Sequence, residues 1–170
     1  MEMACCRWRD DQSPFGGAAV GPNPTDRAKG GTKRSLLVDG NGIPLSVVVD
    51  GANRHDKKLL EVTIEQLQAP QPEDEEIHLC LDKGYDYPDI RELIAAYGWT
   101  AHVHSRGEEA LAQQSLPGYR ARRWVVERTH SWMNRFRRLL IRWEKKVENY
   151  RAMLHIACAY ICLRQLGVLG

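Results

Sequence analysis

Two carboxylates in this sequence stand where chemistry could be done. Asp82 follows a short apolar run, Ile77 to Leu81, and precedes Lys83-Gly84-Tyr85. Glu127 is the one acid in Tyr119 to Trp143, a stretch with eight arginines, three tryptophans and no lysine. An apolar run of that length between loops predicts a buried strand, and a site in an open α/β sheet usually lies at the strand's carboxyl end. At helical spacing, Val125, Thr129, Trp132, Phe136, Leu139 and Trp143 make one mostly apolar stripe. Arg123, Glu127, His130, Asn134 and Arg138 make a second, polar and basic, so Glu127 is expected off the core face of a long helix. Bland readings exist for each acid alone. Asp before Lys-Gly is ordinary turn chemistry, and a Glu among arginines forms an intrahelical ion pair of little consequence. As a pair, 45 residues apart, they could hold a hard divalent ion through oxygen ligands. Mg²⁺ suits such a site because it keeps several waters, and two ions about 4 Å apart would activate a nucleophile and stabilise a leaving oxygen. Two carboxylates are one short of the usual complement, so a third is expected.

The elements that must position these acids can be read from pattern. Asp39-Gly-Asn-Gly42 between Ser35–Val38 and the β-branched run Ile43–Val49 predicts an antiparallel hairpin. Leu59, Leu60, Ile64 and Leu67 describe an amphipathic helix, with His55-Asp56 placed to cap it. Pro88 opens a further helix that Gly98 closes, and Trp99 to His104 reads as a strand. Tyr150 to Leu166 is apolar on most sides and is expected to be a buried helix. The order of elements predicts an α/β layer fold with a mixed sheet. Met1 to Val20 has no usable apolar period.

The chain has 170 residues, enough for one domain with a sizeable core. Its net charge of +2 conceals an uneven distribution. Glu61 to Glu92 sets ten acids against Lys83 and Arg91, whereas Tyr119 to Arg151 sets nine arginines and two lysines against three glutamates. A basic element of this kind is a usual footprint for nucleic-acid contact. The five cysteines show no metal-binding spacing and fit reduced thiols. With no signal-peptide pattern and no apolar run long enough to span a bilayer, a cytoplasmic protein is expected.

Four segments carry a resemblance: GPNPTDRAKGGTKRSLLVDG, VVVDGANRHDKKLL, LCLDKGYDYP and YRARRWVVERTHSWMNRFRRLLIRWEKKVENY. Together they cover most of the chain from Gly21 to Gly170, which resembles the catalytic core of DDE-type transposases of bacterial insertion sequences, in the IS-five-like group. The resemblance implies a ribonuclease-H-like mixed sheet flanked by helices, with Asp82 and Glu127 as the second and third acids of a catalytic triad that holds two Mg²⁺ ions, Mn²⁺ substituting. It implies double-stranded DNA as partner, both terminal inverted repeats and target, and a homo-oligomer when active. Phosphate contacts would come from Arg27, Lys29, Lys33, Arg120, Arg122, Arg123, Arg128 and Arg135. Around Glu127 the family pattern expects a Tyr and an Arg upstream and a Lys seven positions downstream. Tyr119 and Arg123 answer the first two at a gap one residue longer, and position 134 is Asn, with Arg135 as a stand-in.

The family's first acid, in an Asp-Gly context upstream of GPNPTDR, is missing. Asp39-Gly40 is better explained by the hairpin, and Asp10 and Asp11 are weak substitutes. A shift of reading frame would account for the gap. Encoded as CGA TGG CGC GAT GAC CAA AGC CCC TTT, Arg7 to Phe15 read one base later give DGAMTKAP, its Asp 14 positions before Gly21. Residues 1–20 are therefore expected to be poorly ordered and out of frame, 21–170 to form the catalytic domain, and the sheet to be incomplete at its first strand. The upstream DNA-binding region of the family is absent from this sequence, so an upstream-frame polypeptide or a full-length transposase is an expected partner. The implied activity is phosphodiester hydrolysis and strand transfer at the ends of an insertion sequence, with little of it expected from this chain alone. An inactive DNA-binding remnant and a nuclease of the same fold are the alternatives, since the same acids serve each.

Overall fold

The computed structural model of the chain describes residues 2–67, 76–103 and 124–169. Its centre is one mixed sheet. β1 (Glu2–Gln12) runs antiparallel to β3 (Gly30–Val38) on one side and parallel to β5 (Ile77–Leu81) on the other. β4 (Pro44–Gly51) and the two-residue β2 (Gly21–Pro22) pair with the outer edge of β3. β6 (Thr100–Val103) runs parallel to β5 and ends the row on that side.

Helices cover both faces. On one side lie α1 (Asp56–Glu65) and α2 (Pro88–Ala96), whose Leu60, Ile64, Ile90 and Ile94 meet Leu37, Leu79 and Leu81 from the sheet. On the other lie α3 (Trp124–Met133) and α4 (Val147–Gln165), which bury Val125, Val126, Met133, Tyr150, Leu154 and Ile161 against Leu36, Val38, Val47 and Val49. Each such aliphatic side chain contributes about 1.5–3 kcal/mol when fully buried. Successive residues of β3 point to opposite faces, so Leu36 and Leu37 seal different layers.

Several boundaries follow the local chemistry anticipated from sequence. The Asp39 carboxylate accepts from the backbone N–H of Asn41 at 2.9 Å and of Ile43 at 2.7 Å, which closes the hairpin and gives Asp39 a turn role. Gly42 holds φ +83° there, and a Cβ would lie 2.8 Å from Thr129 Oγ1. His55 caps α1 through Nδ1, which accepts from the N–H of Lys57 at 3.3 Å. β5 has the predicted limits, and α2 starts at Pro88 and stops before Gly98.

Three expectations need correction. Residues 2–12, expected to be poorly ordered, form β1 in the middle of the sheet, so the sheet is not left incomplete on that side. The apolar period is hidden because the charged positions find partners: Arg9 with Asp11 at 3.5 Å, Asp11 with Arg34 at 3.2 Å, while Cys6 is buried in the core. The long basic helix is shorter at its carboxyl end than its stripe suggests. α3 stops at Met133, and Leu139 reaches the core from a separate turn, Arg137–Leu139. Finally, α4 buries a single face, Val147, Tyr150, Leu154, Ala157 and Ile161, and leaves Ile156, Tyr160, Leu163 and Leu166 exposed. Among the described residues no helix is long and apolar enough to cross a membrane.

Candidate active site

Asp82 is placed by what surrounds it. Leu79 and Leu81 are fully buried, and the buried Tyr85 anchors a 3₁₀ turn (Lys83–Tyr85) whose N–H bonds back to the Asp82 carbonyl at 2.9 Å. The strand therefore ends in the core, and the carboxylate emerges from its tip, 41% exposed.

Glu127 is placed by α3. Thr129 Oγ1 donates to the Gly42 carbonyl at 2.8 Å, and Arg128 Nη2 donates to the Asn41 carbonyl at 2.6 Å, so the helix is pinned on the hairpin tip. Val125, Val126 and Met133 bury the core side. Glu127 is left half-exposed and directed at β1, where Arg7 Nη1 donates to its Oε1. The same Nη1 lies 4.0 Å from Asp82 Oδ2. The two acids singled out from sequence thus converge on a single guanidinium.

Arg7 was missed because it sits in a segment with no readable period. One signal pointed there. The first acid was expected 14 positions before Gly21, which is position 7. β1 pairs Cys5 with Cys80 in parallel, and carrying that register two residues onward sets Arg7 beside Asp82.

Around this contact opens a cleft of about 350 Å³ lined by Arg7, Arg9, Asp10, Asp82, Glu127 and His130. His130 is buried beneath it, with Nε2 3.4 Å from the Arg7 carbonyl. Burial, reinforced by the positive charges of Arg34, Arg9 and Arg7, pushes its imidazole down to about 3 and keeps it neutral at pH 7. Asp10 is pushed up from the carboxylate range by burial, with Lys33 opposing. Its Oδ1 is buried without a hydrogen-bond partner.

The basic residues expected on DNA are scattered. Arg128 is the most built of them, its guanidinium stacked between the rings of Trp124 at 4.7 Å and Trp132 at 4.8 Å. Trp124 is half-exposed. Arg27 lies on a tight turn with φ +50°, near the exposed Lys29, and Asp26 of that turn accepts from Gln12 at the end of β1. Lys33 is not a surface contact. It is buried, its ammonium 2.6 Å from Asp56 and 3.1 Å from the Arg54 carbonyl, which gives it a structural part. Arg135 is exposed but lines another groove, about 430 Å³, with Trp132, Phe136, Tyr160 and Arg164. Asn134, where the family pattern has lysine, accepts from Arg34 Nη2 at 2.8 Å. Arg120, Arg122 and Arg123, like Tyr119, lie outside the described residues.

A divalent ion is tested here by the donors. Among the described residues no three His, Cys, Asp or Glu side chains are grouped to hold one. The space between the two carboxylates belongs to a side chain that is already cationic. The residues present do not fit the metal pair that the family resemblance implies.

The chain matches the transposase DDE domain family over residues 7–162, a match that begins at Arg7. It is 34% identical over 167 residues to a transposase of insertion sequence element IS402 from Burkholderia cepacia, covering 92% of this chain and 74% of that protein. Its fold is that of the Mos1 mariner protein in a paired end complex with Mn, with a TM-score of 0.54 at 12% identity. That match covers 92% of this chain and 48% of the Mos1 chain, so the chain spans about half of that structure's length. The fold is ribonuclease-H-like, and the chain belongs to the DDE transposase domain family of insertion sequences.

Proposed function

We propose that this chain is the DNA-handling core of an insertion-sequence transposase, shaped for hydrolysis and strand transfer at the element's ends, and that in its present form it binds DNA there without cutting it. The observation that carries both halves is the meeting of Asp82, Glu127 and Arg7. A strand-end acid and a helix acid brought together from 45 residues apart make an acidic pole suited to a phosphodiester reaction. When bound by a full set of acids, Mg²⁺ or Mn²⁺ would supply nucleophile activation and leaving-group stabilisation. The Mos1 structure of the same fold was solved as a paired end complex with Mn. Here the third position carries the opposite charge.

What the chain's own residues do is hold and orient DNA. Arg128, fixed between two indoles, and the exposed Lys29 and Arg135 present cations to phosphates, joined by Arg27 and by Arg120, Arg122 and Arg123 of the neighbouring segment. We take the whole span from Glu2 to Leu169 as one working domain, since β1 joins both halves of the sheet. Double-stranded DNA is its partner, and a second transposase chain supplies what a complete reaction needs.

The test is fluorescence anisotropy with duplexes taken from the DNA that flanks the reading frame, followed by incubation with Mg²⁺. Salt-sensitive binding with no cleavage supports the proposal. Absence of binding at low salt, or efficient cleavage by this chain alone, contradicts it.

A further inference from the structure

We infer that Arg7 is the resident cation of the acidic pole, standing where the fold would otherwise take a divalent ion. The inference rests on the reading above that Asp82 and Glu127 form that pole. Three observations carry it. Carried two residues past its last pair, Cys5 with Cys80, the register of β1 on β5 sets position 7 next to the strand-end acid, so the side chain there enters the pole from the sheet itself. Its Nη1 is shared, donating to Glu127 Oε1 and lying 4.0 Å from Asp82 Oδ2. The Arg7 carbonyl is also 3.4 Å from His130 Nε2, which ties the backbone at this position to α3.

A guanidinium is always charged and presents a fixed fork of donors, and it meets two carboxylates without needing the dehydration that Mg²⁺ resists. A divalent ion approaching the same oxygens would have to expel Arg7 and face its charge. The acids are thereby neutralised within the chain, and the pole needs no metal to hold its shape. Reversing the charge at position 7 would place a third carboxylate beside the other two and open the site to a hard divalent ion.

The test is a Mn²⁺ titration of the full 170-residue chain, read by electron paramagnetic resonance of the free ion, for the wild type, Glu127→Gln, Arg7→Asp and Arg7→Asp/Glu127→Gln. Wild type and Glu127→Gln should take up Mn²⁺ equally weakly. Arg7→Asp should bind at least tenfold more tightly, and the added Glu127→Gln should remove that gain. Wild-type binding that is as tight as that of Arg7→Asp and lost in Glu127→Gln would overturn the inference. If Arg7→Asp fails to fold by circular dichroism, the comparison of wild type with Glu127→Gln still decides, because Glu127-dependent binding in the wild type is itself the contrary result. A contrary result with DNA binding intact removes only the role given to Arg7. Loss of DNA binding with Mn²⁺ results as expected removes the functional reading instead.

Discussion

Arg34 and Asp11 form a fully buried ion pair, Nε to Oδ2 at 3.2 Å, with their side chains 0% and 1% exposed. Tyr150 donates its hydroxyl to the same Oδ2 at 2.9 Å, and Arg34 also donates to Asn134. β1, β3, α4 and the exit of α3 are thus joined through one carboxylate. Replacing it leaves a desolvated guanidinium behind, at a cost of about 3–5 kcal/mol, a large share of a typical domain stability of about 5–15 kcal/mol. Asp11→Asn should therefore lower the urea midpoint steeply. A loss below about 1 kcal/mol would show that the network does not hold the site.

His130 makes acid stability informative. Its folded value of about 3 lies below the ordinary 6.5, so below pH 6.5 the unfolded chain takes up a proton that the folded chain refuses. This contribution is complete above pH 6.5 and is lost as pH falls through that window towards 3. The raised carboxyls of Asp10 and Asp11 act with the opposite sign, above their ordinary 3.8, because there the folded chain holds protons longer. Comparison of His130→Gln with wild type isolates the imidazole. The variant should lose up to about 1.4 kcal/mol less per pH unit within the window. Parallel curves would contradict the burial argument.

The clamped Arg128 and the buried Lys33 separate surface from core. Arg128→Ala should weaken DNA binding and reduce the salt slope by about 0.9, the value of one phosphate contact. Lys33→Met removes the partner of Asp56 and should lower stability while leaving the salt slope unchanged. Equal effects of both on the slope would place Lys33 on the DNA.

What could be read in the sequence was whatever local chemistry enforces. Ile77–Leu81 had to be a strand that delivers Asp82 to its tip, because its four apolar residues, broken only by His78, bury on both faces between loops. The Asp39 turn, the His55 cap and the Pro88 start were equally local. What stayed hidden depends on distant partners. β1 pairs through backbone hydrogen bonds that any residue supplies, and its Arg7, Arg9 and Asp11 are paired with groups up to 139 positions away, so no period marks it. The burial of Lys33, Arg34 and Arg142 is invisible for the same reason. Arg142 is enclosed by the carbonyls of Ala18 and Ala19 and by the Thr32 hydroxyl, none of which its own neighbours in sequence foretell.

The nucleotide sequence bears on the opening segment. Codons at Arg7 to Phe15 that spell Asp-Gly one base later would explain why a strand in this position carries arginine beside Asp82. Codons that cannot do so would remove the frameshift account and leave the cationic site as a property of the chain in its own right.

Asp82 and Glu127 meet at one point, and Arg7 fills it. Crystals grown with Mn²⁺ and measured at its absorption edge test this most directly. Continuous density for the Arg7 guanidinium between the two carboxylates is expected, with no anomalous peak there. A Mn²⁺ peak bridging the two acids with Arg7 swung aside, or the two carboxylates on opposite sides of the molecule, would contradict it.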